Sequence, residues 1–348
     1  MSCTHDATPP SRSTFLRAAA VATTAAAVPR ALAAQPAQGN IDVHQHMVPP
    51  FYLDALKANG RMGDIGDDPN VLGWTPELSL TRMDNLGIQK AYITLSNPGA
   101  QLGAQSAWAR LARRCNEHAA DLSRSHPGRF GSFATLPMPD VQSCLKEVAY
   151  AMDVLHADGV GLLSVYGDKW LGDVSFFPLY EELNRRKAIA FVHPAVGTCC
   201  RTLIPNVGFP VIEYPIDTTR AIVSLLVGGA FARFPDIRFI FSHGGGTLPM
   251  LADRIVRQTM FRKDLTFTES PAALLKRQYY DVALSFSRPT LSAILAFAEP
   301  SHVLFGSDFP YVEMKYTTEG LRQAGLPTDQ LAAIQRSNAL AILPRTST

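Results

Sequence analysis

The chain has 348 residues, 47% hydrophobic and 18% charged, the balance of a globular, enzyme-sized protein with ample material for a buried core. Its formal net charge is only +2, with Lys and Arg scattered along it, so no basic stripe argues for nucleic acid or an anionic membrane surface, and neither is an expected partner. The five cysteines, Cys3, Cys115, Cys144, Cys199 and Cys200, have neither an even count nor metal-finger spacing; a bridge between the adjacent Cys199 and Cys200 is not expected, and no disulfide framework emerges.

At the N-terminus, Arg12 and Arg17 precede the alanine-rich stretch Ala18 to Val28, and Ala31-Leu32-Ala33 resembles a small-residue cleavage site. That is the layout of an export signal. Ser11-Arg12-Ser13-Thr14-Phe15-Leu16-Arg17 resembles a bacterial twin-arginine signal, with Ser13 where the second arginine belongs. Residues 1–34 are therefore expected to be an export signal or a disordered leader, placing the protein in the periplasm or outside the cell; the alternative is the cytoplasm. The run between Arg17 and Arg30 is too short and too rich in Ala and Thr to span a membrane.

Apolar runs bounded by turn residues predict the strands, and amphipathic runs the helices. Ile41 to His46 is the first strand, stopped by Met47-Val48-Pro49-Pro50, and residues 59–70 read as a long loop. Thr75-Pro76-Glu77 starts a helix that turns Leu78, Met83 and Leu86 to the core and ends at Gly87. Strands follow at Lys90 to Leu95, Phe130 to Thr135, Gly159 to Val165, Ala188 to Val192, Arg238 to Ser242, Tyr279 to Leu284 and Val303 to Gly306. Helices are expected between them, one of them from Asp217 to Phe234 with Asp217 or Thr218 as its cap, and a last helix from Thr317 to Ile342. Strand and helix alternate eight times, which predicts an α/β fold, a (β/α)8 TIM barrel over residues 40–345 as one domain. An open doubly wound sheet is the competing architecture.

The barrel explains a further pattern. His44 and His46, His193, His243 and Asp308 fall at or just beyond the C-terminal ends of the first, fifth, sixth and eighth strands, the rim that carries chemistry in such barrels. Two residues apart on a strand, His44 and His46 point the same way. Imidazole nitrogen and carboxylate oxygen suit one divalent transition ion, zinc first and manganese second, held by His44, His46, His193 and Asp308 with a coordination position left open. His243 is then free as acid or base, and Gly244, Gly245 and Gly246 after it would permit close approach of substrate. The fourth strand ends at Leu163-Ser164-Val165 and offers no lysine or glutamate to bridge a second ion, so the site should be mononuclear.

The order of His44-Gln45-His46, His193-Pro194, His243-Gly244-Gly245-Gly246 and Gly306-Ser307-Asp308-Phe309-Pro310 resembles the amidohydrolase superfamily, in the branch that contains aminocarboxymuconate semialdehyde decarboxylase and hydroxybenzoate decarboxylases. Glu213 to Arg220 and Phe234 to His243 are especially similar to methylsalicylate decarboxylase-related proteins. The resemblance implies the same metal set and makes His243 the catalytic histidine. Some relatives carry glutamate in place of the first histidine; this chain keeps both.

The expected activity is metal-dependent decarboxylation of a small aromatic or unsaturated carboxylic acid such as a 2-hydroxybenzoate, with His243 or Asp308 giving carbon its proton. Arg61 and Arg201, on the loops after the first and fifth strands, are candidates to pair with a substrate anion. The rival activity is hydrolysis of a lactone, amide or ester, with His243 activating water, and a third class is a metal-binding barrel without catalysis. The expected partner is the small carboxylic acid, and a homodimer is an open arrangement.

Overall fold

The computed structural model describes residues 39–200, 203–262, 265, 267 and 269–343, so the expected leader (residues 1–34) and Arg201 lie outside the described residues. Eight strands form one sheet: β1 (Asn40–His46), β2 (Ile88–Thr94), β3 (Phe130–Thr135), β4 (Gly159–Leu163), β5 (Ile189–His193), β6 (Arg238–Phe241), β7 (Tyr279–Asp281) and β8 (Val303–Leu304), each paired in parallel with the next. The segment leaving β8 closes the sheet onto β1, through Val43 N–H to Phe305 O at 3.0 Å, Asp308 N–H to His44 O at 2.8 Å and His46 N–H to Phe309 O at 2.7 Å. This is the nearly closed (β/α)8 barrel that the alternation predicts. Its strands are buried on both faces, which is why they read as continuous apolar runs rather than alternating ones.

The barrel interior is filled by side chains. Tyr92, Phe133 and Phe191 stack in sequence, with ring centroids 5.4 and 5.5 Å apart. Ile41, Val43, Ile189, Ile240 and Leu304 pack around them, and Ala339, Ile342 and Leu343 from the C-terminal segment join the same cluster. Between Asp42 and Gln45 the β1–β2 register shifts by one residue, a β-bulge. Ile41 before the bulge and Val43 within it face the interior, and His44, also within it, stacks edge-on against Phe191 at 4.9 Å. The extra residue re-aims the strand so that apolar filler and the His44 imidazole both point inward.

Helices wrap the outside: α1 (Pro50–Ala58), α2 (Pro76–Leu86), α3 (Gln105–Ser125), α4 (Val141–Asp153), α5 (Phe177–Arg185), α6 (Glu213–Val227), α7 (Leu248–Met260), α8 (Arg288–Phe297) and α9 (Met314–Gln323). The Thr75 hydroxyl caps α2 by accepting from Leu78 N–H, and Gly87 ends the helix at φ 68°, as the sequence predicts. Four expectations need correction. Pro50 does not merely stop β1 but opens α1, where a missing N–H costs nothing. The α6 helix starts at Glu213, with Pro215 in its first turn, so Asp217 and Thr218 lie inside it rather than capping it. The single last helix is broken after α9 by Gly325, at φ 71°, and Pro327, and resumes at Thr328–Ala332. Finally, the 3₁₀ turn Thr198–Cys200 holds the sulfurs of Cys199 and Cys200 at bonding distance, a vicinal disulfide that adjacency argues against. Cys115 and Cys144 are free and buried. Among the described residues, no helix is long and apolar enough to cross a membrane.

Candidate metal centre and active site

The barrel gathers all five residues singled out on the strand ends. One ligand atom from each of His44, His193, His243 and Asp308 lies within 4.8 Å of the others, and all four residues are buried. His46 belongs with them, because its Nε2 stands 3.1 Å from His44 Nε2 and 3.1 Å from Asp308 Oδ1. Asp308 Oδ1 is also 3.3 Å from His44 Nε2 and 3.9 Å from His193 Nε2, whereas His243 Nε2 meets the other oxygen, Oδ2, at 3.2 Å. A buried cluster of imidazoles around one aspartate is a metal site. The structure itself supports the fit: His193 Nδ1 is 3.0 Å from the Pro194 carbonyl oxygen and His44 Nδ1 is 2.9 Å from Asp281 Oδ2, so with an ion bound the outer nitrogens would hold the protons and the inner Nε2 atoms would be free as donors.

The electrostatics agree. Burial lowers the His46 and His193 imidazoles below their usual value, which keeps both neutral. Burial also opposes charge on His44, but the Asp281 and Asp308 carboxylates outweigh it and raise that imidazole to about 10. Asp308 is held well below the usual carboxylate range by His44, His193 and His243 in spite of its burial. Asp42 joins the two chain segments that carry His44 and Asp308: its Oδ1 accepts from His44 N–H and Ser307 N–H, each at 3.0 Å, and its Oδ2 accepts from the Gln45 amide.

Above the cluster opens a cavity of about 740 Å³, lined by His193, His243 and Asp308 at its floor and by Phe209, Tyr214 and Tyr311. The Tyr311 ring packs edge-on against His46 at 5.4 Å, and burial raises its phenol, which therefore stays protonated. Asn97 donates to the Tyr214 hydroxyl at 3.3 Å. The volume is that of a small-molecule site.

The glycine run after His243 differs from the expected role. His243 is itself in the left-handed region at φ 55°, and Gly244, Gly245 and Gly246 follow at φ 65°, 76° and 69°. A Cβ would strike Ile294 at 2.5 Å from Gly244, Tyr280 at 2.9 Å from Gly245 and the Pro215 carbonyl oxygen at 2.1 Å from Gly246. The run is thus needed for the turn and for its packing against α8, β7 and α6, and of the three only Gly246 also borders the cavity. Arg61 is corrected as well. Its guanidinium is committed to Asp64 and faces a separate cavity of about 410 Å³, while Asp64 borders the one above the histidines. Arg201 lies outside the described residues.

Sequence reasoning missed Asp281, Tyr214 and Tyr311. For Asp281 a signal existed: it is the lone acidic residue in the apolar run Tyr280 to Leu284, completely buried at the end of β7.

The family model described as amidohydrolase matches residues 41–345. The chain belongs to the amidohydrolase family. This amidohydrolase is 40% identical over 331 residues to a decarboxylase of Aspergillus niger, covering 88% of this chain and 87% of that one. It is 34% identical over 322 residues to a 6-methylsalicylic acid decarboxylase of Aspergillus aculeatus, covering 88% and 96%. Its fold matches that of a dihydroxybenzoic acid decarboxylase of a Polaromonas species, solved with manganese and the inhibitor 2-nitroresorcinol, at a TM-score of 0.77 and 18% identity over 88% and 96% of the two chains. The amidohydrolase resemblance, its decarboxylase branch included, is borne out.

Proposed function

We propose that this amidohydrolase is a metal-dependent decarboxylase of a small aromatic acid with a hydroxyl next to its carboxylate, a 2-hydroxybenzoate such as a methylsalicylate. The observation that carries the reading is the convergence of His44, His46 and His193 Nε2 on Asp308 Oδ1, with His243 on the opposite carboxylate oxygen, beneath a cavity walled by aromatic rings. The relative that acts on 6-methylsalicylic acid supports the substrate class.

His44, His46, His193 and Asp308 would hold one divalent ion. Zinc suits this donor set; manganese, the metal of the Polaromonas structure, suits it too. The chemistry such an ion supplies when bound is positive charge that orients the carboxylate and its neighbouring oxygen and stabilises charge on them as the carbon–carbon bond breaks. The protein's own groups do the rest. Phe209, Tyr214 and Tyr311 place the ring and limit water around it. The carbon that loses carbon dioxide must gain a proton, and His243 Nε2, at the cavity floor beside Asp308 Oδ2, is placed to deliver it, with the carboxylate steadying the imidazolium.

Metal-loaded protein offered a panel of hydroxybenzoates and lactones, with carbon dioxide release and acid release read separately, tests the reading. Carbon dioxide from a 2-hydroxybenzoate is expected. Acid release from a lactone without any carbon dioxide would make the protein a hydrolase instead. The leader keeps its reading as an export signal cleaved near Ala34, supported by Arg12, Arg17 and the alanine-rich run. Mass determination of the N-terminus in exported protein checks it, and an intact Met1 on cytoplasmic protein would contradict it.

A further inference from the structure

We propose that Asp281 is the positioning residue that commits the His44 imidazole to metal binding by fixing which of its nitrogens carries the proton. The proposal rests on the metal reading above and concerns a residue outside the four groups that would hold the ion. Asp281 ends β7 on the barrel rim and is completely buried. Its Oδ2 lies 2.9 Å from His44 Nδ1, the nitrogen on the far side of the ring from the Nε2 that faces Asp308. A carboxylate accepts and cannot donate. With an ion bound, Nδ1 must therefore carry the proton, and the Nε2 lone pair is left for the metal.

The orientation of the carboxylate is not adjustable. Its other oxygen, Oδ1, accepts from His243 N–H at 3.1 Å and from Ala283 N–H at 2.9 Å. Packing closes the remaining side. A Cβ at Gly306 would meet Asp281 Cγ at 2.9 Å and His44 Cβ at 2.9 Å, so the chain entering the Asp308 turn leaves just the room this pair occupies. The three His residues are not alike in this respect. His193 Nδ1 is served by the Pro194 carbonyl, and His46 Nδ1 is buried with no hydrogen-bond partner among the described residues, so among these His44 alone takes its tautomer from a side chain. The same carboxylate ties down the left-handed backbone of His243, and so links the acid–base residue to the metal side of the site.

Asp281→Asn turns this arrangement against the metal. The amide must keep its oxygen toward the two backbone N–H groups, because turning it over would set donor against donor. Its nitrogen then donates to His44 Nδ1, which moves the ring proton to Nε2, where the ion should sit. The expected result is a metal dissociation constant raised about 10- to 100-fold, read by competition with a chromophoric chelator, with the melting temperature of the metal-free protein close to that of the native protein. In the zinc-loaded native protein, imidazole ¹⁵N spectra should show His44 protonated on Nδ1. Native zinc affinity in Asp281→Asn overturns the proposal while leaving the metal reading intact. A native protein that binds no divalent ion overturns both. Where Asp281→Asn does not fold, the ¹⁵N spectrum of the native protein decides: a proton on Nδ1 supports the role of Asp281, and a proton on Nε2 overturns it.

Discussion

His243 meets Asp308 Oδ2 and opens onto the cavity, whereas the other three imidazoles crowd Oδ1 or one another. His243→Ala should therefore keep metal near the native stoichiometry while kcat falls by about 100-fold or more and KM changes little, a loss in the chemical step. Loss of the ion in that variant would make His243 a ligand. His44→Ala and His193→Ala should instead lose metal and activity together, and stoichiometric metal in both would show the ligand set to be different. The His44 imidazole adds a pH signature. With its pKa raised to about 10, His44 in the metal-free site carries protons on both ring nitrogens at neutral pH, and the ion must expel the one on Nε2. Metal affinity should thus climb about tenfold per pH unit from about pH 7 to 9, with roughly one proton released per ion bound; a flat profile by calorimetry in matched buffers would contradict this. The five converging residues were legible because each closes an apolar run. Asp281 left a trace too, as the lone acid of its apolar run, but its role did not, because that lies in which ring nitrogen it faces, and spacing along a chain says nothing of that. Arg61 misled for the converse reason: a loop cation looks available until its partner, Asp64, is seen three residues on.

Most of the elements could be read from turn chemistry, and the Thr75-Pro76 start and Gly87 stop of α2 match the structure residue for residue. Thr75→Ala should destabilise the protein by about 1 kcal/mol through loss of that cap, seen as a lowered melting temperature with activity kept. The glycine turn after β6 is less forgiving. At Gly246 an added Cβ faces both a φ of 69° and the Pro215 carbonyl at 2.1 Å, so Gly246→Ala should cost about 2 kcal/mol or more and lower activity by moving α6 away from the cavity. Unchanged melting and turnover would contradict that packing role. The β1 bulge was illegible. Period-two reasoning correctly put His44 and His46 on one face, but the register shift that lets Val43 and His44 both serve the interior depends on pairing with β2. The vicinal Cys199–Cys200 bridge was likewise hidden, since it depends on the 3₁₀ turn that carries both residues.

On the scale of the molecule, eight alternations were enough to predict the barrel, because parallel strands buried on both faces leave few other ways to close. Closure is also what makes the site: β1 and β8 are the ends of the sheet, and the hydrogen bonds joining β1 to the segment that leaves β8 bring Asp308 beside His44 and His46. Removing the ion should abolish turnover while leaving the barrel folded, since the interior stack of Tyr92, Phe133 and Phe191 does not depend on it. The most direct test of the whole account is carbon dioxide release from 6-methylsalicylate and related 2-hydroxybenzoates by protein carrying one divalent ion per chain. The account predicts carbon dioxide in step with loss of the acid, abolished by chelation and restored by zinc or manganese. Turnover that survives complete metal removal, or no carbon dioxide from any hydroxybenzoate by fully loaded protein, would contradict it.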